Sequence, residues 1–89
     1  MLKRMEEASP KLKKLFLEIV ENQLKEGGPP EAKETFKRLV ASGIAQSDAK
    51  IYIGQAVCLE VWDMMKNGKE FNMERYVRNL RNLPAEPST

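Results

Sequence analysis

Two polar side chains occupy places where helical periodicity calls for apolar ones, and they are the first residues to question for chemistry. Gln23 projects into the middle of an apolar face between Phe16 and Ile19, and Glu60 lies at the margin of a broad apolar arc beside Ile53 and Met64. A buried polar pair of this kind can hold a ligand in a cleft. The structural reading outweighs the functional one, because buried glutamine and glutamate ordinarily satisfy backbone or side-chain partners and set helix register. A catalytic carboxylate pair needs a second Asp or Glu facing Glu60, and the chain singles none out.

Arg75, Arg78 and Arg81 recur every third residue, with Asn79 and Asn82 beside them and Lys66 and Lys69 just upstream. Such a face can touch phosphates. Glu70 and Glu74 interrupt it, and amphipathic helices commonly carry a charged outer face, so nucleic acid is the lesser reading. Cys58 lies at helical spacing from Gly54 and Trp62 with no basic neighbour, which suits a core residue better than a reactive thiol. Met64 and Met65 with Trp62 could line an adaptable pocket, although methionine at this spacing more often fills gaps in packing. Histidine is absent and there is one cysteine. Metal ligation therefore has no donor set, no disulfide can close within the chain, and nucleophile schemes that depend on imidazole are excluded. No catalytic residue, cofactor or metal is expected.

The elements that must position these residues follow from size and punctuation. A chain of 89 residues is too short for two separate cores, and 42% apolar with 31% charged residues is the composition of an ordinary globular domain. The net charge of +2 arises from 15 basic and 13 acidic residues and is too weak a field to name nucleic acid or anionic lipid as a partner. No stretch approaches the roughly 20 apolar residues that cross a bilayer, and the first residues carry charges at Lys3, Arg4, Glu6 and Glu7 instead of an apolar run. With its lone thiol, the chain is expected in the cytoplasm.

Gly27-Gly28-Pro29-Pro30, Ser42-Gly43 and Asn67-Gly68 divide the sequence into four segments. The first helix has Ser9 as N-cap and Pro10 in the first position, ends near Glu26, and gathers Leu12, Leu15, Phe16, Ile19, Val20 and Leu24 on one face. The second runs from Pro30 to Ser42 with Ala32, Phe36, Leu39 and Val40 on one side; Gly43 ends it, and Ile44 is placed to fold back as the apolar contact of the cap. This corner superficially resembles a helix-turn-helix or the corner of a ubiquitin-associated domain, but a tight glycine corner between helices is generic. Ser47 is the expected cap of a third helix reaching about Lys66, whose apolar arc holds Ile51, Ile53, Val57, Cys58, Val61, Trp62, Met64 and Met65. The last helix opens at Asn72, with Phe71 stapled to Tyr76; Met73, Tyr76, Val77, Leu80 and Leu83 share a face, and Pro84 ends it.

The run from Glu21-Asn22-Gln23 through Pro29-Pro30-Glu31, Thr35, Arg38-Leu39, Gly43, Ala49, Glu60, Trp62, Met65, Gly68, Phe71 and Tyr76 to Leu80, Leu83 and Pro84 resembles a small bacterial all-helical domain family with no attached activity. The resemblance implies a compact helical fold and carries over no catalytic or binding residue.

These readings predict an all-α, compact four-helix domain with a long central third helix. It is a single domain over residues 1–89, with 1–8 a frayed N-terminal extension and 84–89 a mobile tail. The expected function is that of a non-enzymatic protein-interaction or structural module whose partner is another protein or a second copy. A nucleic-acid-associated regulator using the basic face of the last helix is the alternative. Trp62 is expected to be substantially buried. Tyr52 and Leu59 stand among Gln55, Asp63 and Lys66, away from the main arc. They are the expected contact with a second copy unless the first helix covers them, since a small monomer has limited capacity to hide broad apolar arcs.

Overall fold

The structure, a computed structural model, describes residues 8–89. Four helices and no strand occur among them: α1 Pro10–Glu26, α2 Pro30–Ala41, α3 Gln46–Asn67 and α4 Met73–Asn82. Residues 1–7, and with them nearly all of the expected N-terminal extension, lie outside the described residues; Ala8 packs against the core.

The helix ends follow local rules. Ser9 accepts the Leu12 N–H at 3.3 Å, and Gly27, at φ 75°, returns its N–H to the Gln23 carbonyl. After α2 the Ile44 N–H reaches the Leu39 carbonyl and the Gly43 N–H reaches that of Val40, the double return of a Schellman motif. Gly43 holds φ 102°, a conformation closed to residues with a side chain. At α4 the Asn72 side chain accepts the Arg75 N–H, and the Phe71 and Tyr76 rings meet edge to face at 5.2 Å. One cap differs from expectation. Helix α3 starts at Gln46 with Ala45 as N-cap, so Ser47 lies inside the first turn. The Schellman closure fixes Ile44 on Leu39, and the chain is already aimed into the helix before Ser47 is reached.

Helix α3 is the axis of the domain: α1, α2 and α4 all pack on it, and α2 also contacts α1 and α4. Ile53, Gly54 and the run from Ala56 to Glu60 are buried, leaving no solvent face along the middle of the helix. Leu59 is 1% exposed within a single chain, so the expected placement of Leu59 at a contact with a second copy is corrected, while Tyr52 is half-buried. The ends of the predicted arc fare differently: Met64 and Met65 are exposed in the last turns of α3, and Ile51 is exposed because it faces away from the side on which Ala49 and Ile53 are buried. Trp62 is half-buried, less enclosed than expected, and packs against the core from its edge. In α1 the buried face centres on Phe16 and Val20, with Leu17 turned toward the core and Leu15 exposed.

Candidate functional site

The chemistry-bearing residues converge on α4. This helix has 10 residues, too few to be stable alone in water, and each of the other three helices ties it down through a polar side chain.

Helix α3 supplies Glu60, which is completely buried. Its Oε1 accepts the Asn72 N–H at 3.0 Å and Arg75 Nη2 at 2.9 Å, and its Oε2 accepts Arg75 Nε at 2.6 Å. In an ordinary capping box the third helical residue would be a Glu reaching back to the N-cap N–H. Here that position is Arg75, and the carboxylate comes from the neighbouring helix, placed where the positive end of the α4 dipole favours a negative charge. Arg75 also donates to Asp63 at 2.8 Å, and Asp63 accepts from Asn67 one turn further on. Arg75, followed by Asn67, holds the Asp63 carboxyl below the usual carboxylate range. Hydrogen bonds from Arg75 to Glu60 and then to Asp63 keep the guanidinium more firmly protonated than usual.

Helix α1 supplies Gln23, whose Oε1 accepts the Tyr76 hydroxyl at 2.5 Å. Burial raises the Tyr76 phenol, and the bond to Gln23 opposes this only in part. Helix α2 supplies Arg38 and Thr35. Arg38 donates to the carbonyls of Leu83 at 2.8 Å and Leu80 at 3.0 Å, with Arg81 at 3.4 Å, and Thr35 reaches Leu80. A cation thus sits on carbonyls at the C-terminal end of α4, where the helix dipole favours positive charge; the Leu80 carbonyl also accepts the Leu83 N–H. A short helix is held by a foreign anion at its N-terminus and a foreign cation at its C-terminus.

Gln23 and Glu60 are therefore not one site: Gln23 is only half-buried, and the two bond to adjacent residues of α4, Tyr76 and Arg75. Glu60 is sealed from solvent, with both oxygens engaged by Asn72 and Arg75. No family model, curated protein or solved structure matches the chain. Of the residues on which the sequence resemblance rests, Gln23, Thr35, Arg38, Glu60 and Tyr76 are members of these ties. They account for a fold without calling on an activity.

The three arginines expected to form a phosphate-contacting face do not act together. Arg75 is consumed by two carboxylates. Arg78 donates to the Ser88 and Thr89 carbonyls, and Arg81 is largely exposed, with a loose 3.9 Å pairing to Glu31. Residues 84–89, expected to trail away as a mobile tail, turn back along α4. The reason is Asn79, 2% exposed, whose amide donates to the Ser88 carbonyl and accepts the Ser88 N–H, both at 3.0 Å. Among the described residues no group of three His, Cys, Asp or Glu gathers as a metal site, and no helix is long and apolar enough to cross a membrane.

Sequence reasoning missed Arg38, Thr35 and Asn79. Thr35 stands four positions before Leu39, and Arg38 stands three positions after Thr35, on the flank of the α2 apolar face, which was the available signal. A different surface also emerges. At the α2–α3 corner Ile44, Asp48, Ile51, Tyr52 and Gln55 line a cleft of about 300 Å³.

Proposed function

We propose that this chain is a small cytoplasmic protein-interaction module, that it is not an enzyme, and that its contact is centred on the α2–α3 corner. The observation that carries this reading is the cleft itself. Ile51 is 38% exposed on its rim, with half-buried Ile44 and Tyr52 beside it, and a large aliphatic residue kept half in water beside a concavity favours protein contact. Asp48 and Gln55 supply the polar margin typical of such a patch. The polar residues that might have served chemistry are instead spent joining α4 to the other helices, which also supports a binding role. Cys58 is buried, in keeping with a reducing compartment. The partner is another protein or a second copy of this chain, and this reading assigns the contact to Tyr52 and Ile51.

Ile51→Lys tests this, since the site is exposed and the substitution leaves the core untouched. Sedimentation at micromolar concentration and affinity capture are compared for both proteins. Loss of self-association, or of a specific captured protein, in a folded variant is the expected result. A monomeric wild type whose captured proteins are identical to those of Ile51→Lys overturns the reading.

A further inference from the structure

The last residues of the chain fasten its last helix. Beyond Leu83 the Ala85 N–H donates to the Asn82 carbonyl at 2.9 Å, the chain reverses, and Pro87 returns half-buried. Ser88 then meets Asn79 at two points: its carbonyl accepts the Asn79 side-chain amide and its N–H donates to the Asn79 side-chain oxygen, both at 3.0 Å. Arg78 donates to the Ser88 carbonyl at 2.7 Å and the Thr89 carbonyl at 3.1 Å. These contacts engage only the main chain of the tail; the Ser88 and Thr89 side chains are exposed. Asn79 itself is 2% exposed and shares the buried face of α4 with Tyr76, Leu80 and Leu83. Arg38 of α2 holds the Leu80, Arg81 and Leu83 carbonyls of the same stretch. The tail and α2 thus grip the last two turns of α4 through different atoms, the tail by side chains and α2 by main-chain carbonyls.

We propose that residues 84–89 are a conformational strap with a closed and an open state. Closed, the strap completes the hydrogen bonding of Asn79 and seals the flank of the buried face. Open, it leaves the last two turns of α4 loosened while the middle of α3 stays packed. The two states lie close in free energy, because ordering six residues costs conformational entropy comparable to what a few hydrogen bonds at a solvent edge return. Pro84 and Pro87, with φ already fixed, have less freedom to lose, which tips the balance toward closure. Opening is transmitted to α4 because an amide on a buried face does not stay unpaired. Once Ser88 leaves, water must reach Asn79 and so enter the face that Leu80 and Leu83 share. The order of the α4 C-terminus, and with it the grip of Arg38, therefore depends on a segment outside the helices, and whatever draws the tail away loosens that end of the domain.

Hydrogen exchange of the full, isotope-labelled chain, followed residue by residue by nuclear magnetic resonance, tests the strap. In wild type the Ser88 amide should exchange several-fold more slowly than an unstructured serine, although its residue is exposed. Ser88→Pro removes the N–H that pairs with Asn79, and the amides of Leu80 to Leu83 should then lose about tenfold in protection, while Val57 to Glu60 of α3 keep theirs. Ser88→Ala retains the main-chain pair and should match wild type. The proposal is overturned if the wild-type Ser88 amide exchanges as in an unfolded chain, or if Ser88→Pro leaves α4 protection unchanged. Equal losses in α3 and α4 would also overturn it, because the tail would then belong to the global fold and not to a separate opening. A Ser88→Ala variant as unprotected as Ser88→Pro would refute the main-chain clamp.

Discussion

Arg75→Met should nearly unfold the domain, and a second substitution should rescue it. Glu60 is fully buried and its carboxylate receives three hydrogen bonds, two from Arg75 and one from the Asn72 N–H. Removing the guanidinium strands a buried negative charge on one backbone donor, a change that costs about 3–5 kcal/mol. That equals the whole stability of about 3–5 kcal/mol that a core of this size supplies. Removing both charges, with Glu60→Leu added to Arg75→Met, strands no fully buried charge; it forfeits the acceptor for Asn72, about 1–2 kcal/mol, and leaves the part-buried Asp63 with Asn67 as its partner. Urea denaturation followed by far-UV circular dichroism should rank the midpoints wild type, then double variant, then Arg75→Met. High salt should disturb this order little, because a sealed pair is poorly screened. If Arg75→Met lies within about 1 kcal/mol of wild type, or the double variant is no more stable than the single one, the anchoring of α4 by a buried charge pair is wrong.

Leu59→Glu should abolish cooperative unfolding even at high dilution, since Leu59 is enclosed within one chain; a folded monomer carrying this change would mean that the centre of α3 is open. Trp62→Ala should cost about 1–3 kcal/mol by denaturant titration, less than the 3–5 of a fully enclosed aromatic, because Trp62 is half-buried. Tyr76 is held protonated by burial, so its folded pKa lies above the ordinary value of 10.0. The unfolded chain then loses this proton first as pH rises, and stability from this group, complete below pH 10.0, falls as alkalinity increases. Near-ultraviolet phenolate absorbance of Tyr76, resolved with a Tyr52→Phe background, should appear together with unfolding; ionisation while the helices remain intact would contradict its burial.

Local chemistry was legible from the sequence because it is decided within a few residues. The three breaks, the all-helical class, the caps at Ser9, Gly43 and Asn72, and the Phe71–Tyr76 staple all rest on contacts between residues no more than five positions apart. Gln23 and Glu60 were also recognisable as polar groups in want of partners, since periodicity alone marks them. Their partners were not: Gln23 meets Tyr76 across 53 positions and Arg38 meets Leu83 across 45. A helical wheel gives each residue an angle but no neighbour. The same limit explains Leu59 and Leu15. Both are leucines on helices with broad apolar arcs, and which one is buried depends on how many helices surround that turn. Packing of α1, α2 and α4 around the middle of α3 closes over Leu59, while Leu15 stays outside the contact. Tertiary structure alone likewise decided that Arg75 belongs to the scaffold and Arg78 to a surface. The two differ by three residues on one helix face, and only the position of the Glu60 carboxylate on another helix separates them.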